Sequence, residues 1–146
     1  MKIAFGNDQY GLAYKEAIMA AYPEHEYVDC GAYNTDSVSY PPIAEAVSRM
    51  VASGEVDRGI LICGTGIGMA MSANKVRGAY AAVCHDIYST QRSILSNDAN
   101  IMCMGALVIG MKTAETLAGE WLSLTFDKSS ASAPKVADLR SIEERF

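Results

Sequence analysis

The stretch GILICGTGIGM, at residues 59–69, joins a short apolar run to a glycine-rich turn. Residues 59–63 are apolar throughout, as expected of a strand that is buried on both faces of a parallel sheet. Gly64, Gly66 and Gly68 let the backbone turn its N–H groups inward, and the start of a helix behind them adds positive partial charge. The stretch therefore predicts a strand, an anion-binding turn and a helix, in that order.

Strands and helices alternate on both sides of this stretch. Short apolar runs predict strands at residues 3–5, 26–29, 78–84 and 101–109, the last with a break at Gly105. Longer periodic segments predict helices at residues 12–21, 41–53, 87–95, 113–125 and 136–145. The alternation predicts the α/β class: a single domain over residues 1–146, with a doubly wound, Rossmann-like parallel sheet and helices on both faces.

Composition and charge exclude several classes of protein. The 146 residues include 12 Lys and Arg against 17 Asp and Glu, for a net charge of −5 without a basic block. This disfavours a nucleic-acid or anionic-membrane partner. The four cysteines form no CxxC pair, so neither a zinc site nor a disulfide framework is expected. No run is long enough to cross a membrane. We expect a cytoplasmic protein with free thiols.

Ligands of a parallel sheet bind at loops that leave the carboxyl ends of strands. The loops expected there are Gly6–Tyr10, Cys30–Tyr40, Cys63–Gly68, Cys84–Tyr88 and Asn97–Asn100. Cys63 is the strongest chemical candidate, because N–H groups at the start of a helix stabilise a thiolate that can accept a proton. The alternative is that Cys63 is the last buried residue of a strand and that the glycines only form a tight turn. The residues themselves leave both interpretations open.

Residues 59–69, followed by ANKV at residues 73–76, resemble the signature of the ribose-5-phosphate isomerase B family, which includes the galactose-6-phosphate isomerase subunits. Asp8, NDAN at residues 97–100 and VIG at residues 108–110 occur in the matching order. The resemblance implies an aldose–ketose isomerase of a small sugar or sugar phosphate, with no metal or other cofactor. It also implies a homodimer or tetramer with sites shared between subunits, residues 127–146 forming a linker and a helix on the partner.

The resemblance also implies a role for each site residue. Cys63 is the base that moves a proton between C2 and C1 through an enediolate, and Thr65 assists at the substrate oxygen. The backbone of the glycine turn holds the enediolate. The residues expected to bind substrate are Asp8, Gln9, Tyr40, Gly64, Gly66, Ile67, Gly68, Asn97 and Lys135.

The chain departs from the family pattern where relatives hold phosphate and open the sugar ring. Gln9 stands in place of a histidine, Leu107 in place of an arginine, and Ser96 in place of the ring-opening histidine. Lys135 is the one basic match left near the C-terminus. Because a phosphate is usually held by several charge-assisted hydrogen bonds, the substrate is not expected to be ribose 5-phosphate, and a sugar without phosphate is an open alternative.

Other interpretations keep the same fold. The chain is then either an accessory sugar-binding subunit of a hetero-oligomeric isomerase or a ribose-5-phosphate isomerase with a rebuilt phosphate site. His85 is a candidate acid–base group in place of Ser96, although the favoured interpretation is that it precedes a helix capped by Asp86.

Overall fold

A computed structural model describes all residues from Met1 to Phe146. The strands are β1 (Lys2–Asn7), β2 (Glu26–Asp29), β3 (Arg58–Cys63), β4 (Ala81–Val83) and β5 (Ile101–Gly105). The helices are α1 (Leu12–Ala21), α2 (Tyr40–Ser53), α3 (Ile67–Ala73), α4 (Ile87–Leu95), α5 (Met111–Ser123) and α6 (Ala133–Ser141), followed by a 3-10 turn at Ile142–Arg145. None of these helices is both long and apolar enough to span a membrane.

The five strands form one parallel sheet in the order β2-β1-β3-β5-β4. Side chains alternate between two buried clusters, as the pleat requires. Ile60 and Ile62 of β3 face the cluster that contains residues of α1 and α5, whereas Leu61 and Cys63 face the cluster formed with α2 and α3. The predicted doubly wound sheet with helices on both faces is therefore confirmed.

Two predicted strands are shorter than the sequence suggested. β4 is a three-residue edge strand, and β5 ends at Gly105 instead of resuming at Leu107–Ile109. Residues 106–109 form a turn, because β3 ends opposite Gly105 and the N–H groups of Val108 and Ile109 donate to the Gly105 carbonyl oxygen at 3.0 and 3.1 Å. The Tyr14 hydroxyl lies 3.1 and 2.7 Å from the carbonyl oxygens of Ala106 and Ile109 in this turn.

The C-terminal segment packs on its own chain near the amino ends of β4 and β5. The Arg140 guanidinium lies 2.6 Å from the Asp98 carboxylate, and the Glu143 carboxylate accepts from the Gly78 N–H at 3.1 Å. Packing of this segment on a partner subunit stays a prediction.

The expectation that Asn97–Asn100 lies at the carboxyl end of a strand is wrong. This loop precedes β5, so it lies at the amino end of the sheet. The sequence pattern located the loop correctly between a helix and a strand, but the loop enters the strand instead of leaving it. A five-residue strand spans about 16 Å, which separates this loop from the glycine turn after β3.

Candidate active site

The glycine turn after β3 presents a thiol to backbone donors. Cys63 is the last residue of the strand and is 4% exposed. The Gly66 N–H donates to its Sγ atom at 3.1 Å. Gly66 has a φ of +76°, which a residue with a Cβ rarely adopts. The left-handed glycine thus aims an N–H at the sulfur, where it stabilises negative charge.

The end of β5 forms the floor of this turn. Gly105 lies opposite Cys63 in the β3–β5 pairing, and the next N–H, of Ala106, donates to the Cys63 carbonyl oxygen at 2.8 Å. A Cβ added to Gly105 would lie 2.6 Å from the carbonyl carbon of Thr65, closer than real contacts allow. The glycine at this position therefore permits β5 to approach the turn directly.

Asp8 joins the site from the end of β1. Its side chain is 5% exposed, and Oδ1 accepts from the Tyr10 N–H at 2.9 Å. Burial raises the pKa of the Asp8 carboxyl, while hydrogen bonds from backbone N–H groups, including that of Gly64, oppose the rise. The predicted meeting of the first loop with the glycine turn is therefore present in the structure.

Gln9 and Tyr40 line the same edge in different ways. The Gln9 side-chain oxygen accepts from the Val38 N–H at 3.3 Å, so this residue also ties the first loop to the segment before α2. The Tyr40 ring covers Gly68, since a Cβ on that glycine would lie 2.5 Å from the ring. Tyr10, which the sequence did not single out, lies beside Leu107 against Gly64.

Thr65 and Ile67 lie on the exposed side of the turn. The Thr65 hydroxyl oxygen accepts from the Ile67 N–H at 3.2 Å, and its side chain is open to solvent. Both residues are thus available at the surface of the turn, above the buried Cys63.

Asn97 and Lys135 are not brought to this turn within one chain. Asn97 lines a cavity of about 470 Å³ beside β4, together with Arg92 and Tyr80. Lys135 is exposed at the start of α6, on the segment that packs near the same end of the sheet. Neither residue shares a hydrogen bond with the glycine turn.

His85 reaches the edge of the site by a contact that the sequence did not predict. Its Nε2 atom accepts from the Gly105 N–H at 2.8 Å. Asp86 caps α4 through the Ser89 N–H, as expected. The capping signal is local in the sequence, whereas the His85 contact depends on which strands are neighbours.

Comparison with known proteins agrees with this arrangement. Residues 3–139 match the ribose/galactose isomerase family. The chain belongs to that family. It is an aldose–ketose isomerase, and the resemblance noted in its sequence is confirmed. D-erythrulose-4-phosphate isomerase 2 of Mycolicibacterium smegmatis is 47% identical over 98% of this chain and 97% of the relative. Ribose-5-P isomerase B of Listeria innocua is 46% identical over 99% of both chains.

A solved structure extends the agreement to the backbone of the isomerase. The ribose-5-phosphate isomerase B of Clostridium thermocellum superposes with a TM-score of 0.94, at 39% identity and 99% coverage of both chains. The turn after β3 therefore belongs to a shared architecture.

Proposed function

We propose that this isomerase interconverts a four-carbon ketose 4-phosphate, D-erythrulose 4-phosphate, with the corresponding aldose phosphate, using Cys63 as the base. The observation that carries the proposal is the Cys63 sulfur held at 3.1 Å from the Gly66 N–H at the mouth of the glycine turn. A relative with 47% identity that acts on this ketose phosphate supports the choice of substrate.

The replacement at Ser96 favours a substrate that has no ring. In a tetrose 4-phosphate, the oxygen that would close a five-membered ring is esterified by the phosphate. Such a substrate reaches the enzyme in its open-chain form, so a ring-opening acid is not needed. Ser96 stands where relatives of the ribose-5-phosphate type are expected to carry a histidine.

The proposed reaction moves one proton between adjacent carbons. The Cys63 thiolate removes the proton from C2 of the aldose, and the electron pair of that C–H bond forms the C1–C2 double bond of an enediolate. The C1 oxygen takes up the negative charge, which the N–H groups of the glycine turn stabilise. A proton then passes from the C2 hydroxyl to the C1 oxygen. The electron pair of the C1–C2 double bond takes the proton of the Cys63 thiol at C1, and the C2 oxygen forms the carbonyl of the ketose.

The neighbouring side chains position the substrate around this turn. Asp8 accepts hydrogen bonds from the sugar hydroxyls, and Tyr40 closes the side of the pocket over Gly68. Thr65 presents its hydroxyl at the surface of the turn, where it binds the oxygen on C1 or C2.

Asn97 and Lys135 serve the site of a second copy of the chain. Both lie at the amino end of the sheet, so a two-fold axis across the β4 edge would carry them to the glycine turn of the partner. Exposed apolar residues along that edge support such a dimer. They are Ile67, Met71, Val83, Ile87 and Tyr88. In the dimer, Lys135 and Asn97 bind the phosphate end of the substrate.

Solvent deuterium incorporation tests the proposed reaction. The protein is incubated in heavy water with D-erythrulose 4-phosphate, D-erythrulose or ribose 5-phosphate, and carbon-bound deuterium is followed by NMR. We expect exchange into D-erythrulose 4-phosphate, reduced at least 1,000-fold by Cys63→Ala, the scale of loss for a catalytic base. The matched variant Cys30→Ala, away from the turn, should keep wild-type exchange.

The other outcomes separate the remaining functions. Exchange into ribose 5-phosphate alone would indicate a pentose isomerase with a rebuilt phosphate site. Exchange into D-erythrulose alone would indicate a sugar without phosphate. A folded protein that exchanges none of the three would favour the accessory sugar-binding subunit. Wild-type exchange by Cys63→Ala would exclude the thiol as the base.

A further inference from the structure

The His85 ring supplies a hydrogen-bond acceptor to β5 at the edge of the sheet, beyond the end of β4. Because the Ala106 N–H donates to Cys63 of β3, the N–H of the preceding Gly105 points to the other side, toward β4. β4 ends at Val83, and its last paired residue on β5 is Cys103. The acceptor that Gly105 finds there is the His85 Nε2 atom, at 2.8 Å.

Gly105 in turn supports the catalytic turn from below. It lies opposite Cys63, and its Cα approaches the backbone of Thr65 so closely that no side chain fits between them. The two residues that follow it are bonded to the same turn, the Leu107 N–H donating to the Gly64 carbonyl oxygen at 3.0 Å. A shift of Gly105 would therefore move the backbone on both sides of the sulfur.

We propose that His85 is a positioning residue of the isomerase: a neutral imidazole, protonated on Nδ1, that fixes Gly105 and through it the turn that carries Cys63. The inference rests on the proposed function, since that turn is where the proton is transferred. His85 acts through the peptide of Gly105, and no contact with substrate is required of it.

The surroundings of the ring favour its neutral form. Nε2 accepts a hydrogen bond from the Gly105 N–H, and a protonated imidazole has no lone pair with which to accept it. Burial lowers the pKa of His85, and the neighbouring Asp86 carboxylate acts in the opposite direction. Apart from Asp86, the titratable side chains of β3, β5 and the loop before α4 are Arg58, at the far amino end of β3, and the thiols of Cys63, Cys84 and Cys103. Protonation of the ring at low pH would therefore break the hydrogen bond from the Gly105 N–H.

NMR tests the hydrogen bond without any measurement of activity. The chain has two histidines, so a long-range 15N–1H spectrum resolves both rings, and His25→Gln assigns them. We expect a pyridine-like Nε2 and a protonated Nδ1 for His85 at pH 7.5. The opposite tautomer, or a rapidly exchanging mixture, would overturn the proposal.

Kinetics separate positioning from a merely structural role. In His85→Gln the side-chain oxygen still accepts from Gly105 but does not titrate, whereas His85→Leu has no acceptor. We expect kcat for D-erythrulose 4-phosphate to fall about tenfold in His85→Leu at pH 7.5, with little change in KM. His85→Gln should restore most of kcat and lose less of it than the wild type between pH 6.5 and 5.

The control and the contrary outcomes are distinct from those of the proposed reaction. His25→Gln, in a surface turn, should keep the wild-type pH profile. His85 does not position the turn if His85→Leu retains wild-type kcat, or if His85→Gln loses as much kcat as the wild type between pH 6.5 and 5. In either case the proposed reaction still stands. Wild-type exchange by Cys63→Ala would remove the proposed reaction while leaving the NMR result unaffected.

Discussion

The two ends of the sheet contribute to the candidate site in different ways. At the carboxyl end, the turn after β3 presents mainly backbone N–H groups, and one chain supplies the thiol, the donors and the floor. At the amino end, Asn97 and Lys135 present side chains in the open, without a bond to that turn. The contacts of the first region all lie within one chain, whereas the side chains of the second region make no hydrogen bond to the glycine turn.

This difference separates the chemistry of the reaction from the recognition of the substrate. Backbone donors stabilise an enediolate whatever is attached to its carbons, because the charge always develops on the same two oxygens. Exposed side chains at the other end can change without disturbing that turn. Ser96 is a departure of this second kind, whereas Gln9 and Leu107 lie at the carboxyl end, beside the turn. All three leave the sequence of the glycine turn and Cys63 intact.

The largest expected effect comes from filling the floor of the glycine turn. In Gly105→Ala, the new Cβ would meet the Thr65 carbonyl carbon at 2.6 Å, so the backbone of one segment must move. We expect a loss of about 3 kcal/mol in the free energy of unfolding, the upper range for overpacking, and at least a 100-fold loss of kcat. Urea unfolding and the exchange assay measure the two effects.

Gly110→Ala is the matched control for this variant. Gly110 has a φ of −71° and nothing within 4 Å of an added Cβ, so alanine fits without movement. Its unfolding free energy should fall by less than about 1 kcal/mol, the scale of a change at a helix N-cap, and kcat should not change. Equal losses in both variants would show that the close approach at Gly105 is not what supports the turn.

Local signals in the sequence predicted the turn but not its surroundings. The apolar run and alternating glycines of residues 59–69 specify a strand, a turn and a helix within eleven neighbouring residues, and Asp86 caps α4 as its position suggests. The contact of His85 with Gly105 spans 20 residues and exists because β4 stops early beside β5. No local sequence pattern predicts where β4 ends.

The placement of the Asn97 loop was missed for a related reason. Residue types in 97–100 mark a loop, but the end of the sheet at which it lies depends on whether a strand begins or ends there. Residues 107–109 were likewise apolar enough for a strand, but the neighbouring strand β3 ends opposite Gly105, and the chain turns back on the Gly105 carbonyl oxygen. A local sequence pattern predicts neither the end of the sheet at which a loop lies nor the length of the neighbouring strand.

Asn97→Ala probes whether the amino end serves a partner. We expect at least a 50-fold loss of activity with no change in unfolding free energy, because the side chain is exposed and its loss leaves no cavity. In a dimer with shared sites, unfolding and refolding Asn97→Ala together with Cys63→Ala creates mixed dimers. Each mixed dimer carries one site with both defects and one intact site.

The expected recovery gives a quantitative test of the shared site. With equal amounts and random pairing, half of the dimers are mixed, so activity should return to about a quarter of the wild-type level. Refolding either variant alone is the control and should recover nothing. A mixture as inactive as its components would mean that Asn97 acts in its own chain or not at all.

Asp8→Asn is expected to stabilise the fold at the cost of activity. Burial raises the pKa of Asp8 in the folded state above the usual 3.8, so the unfolded chain is the one that ionises more readily. The ionised carboxylate therefore disfavours folding above the folded-state pKa, and this effect vanishes below about pH 3.8, the unfolded value. The variant removes the charge and keeps an acceptor for the Tyr10 N–H.

Thermal unfolding at several pH values checks the sign. The Asp8→Asn variant should melt a few degrees above the wild type at pH 7.5, and the difference should shrink as the pH falls toward 4. Asp36→Asn, on the exposed loop before α2, is the control and should change the melting temperature little. A lower melting temperature for Asp8→Asn at pH 7.5 would mean that the carboxylate stabilises this loop.

Lys135→Ala has the smallest expected effect, on substrate affinity alone. The ammonium group is exposed and has no acidic partner in its own chain, so its loss should leave the melting temperature and kcat unchanged. One charge-assisted hydrogen bond at the lower end of its range, about 1.5 kcal/mol, corresponds to a rise in KM of roughly tenfold. The wild-type KM should also rise more steeply with salt than that of the variant, because salt screens an exposed charge. Lys128→Ala, in the same C-terminal segment, is the matched control. If KM rises equally with salt in the wild type and both variants, the amino end of the sheet does not bind the phosphate.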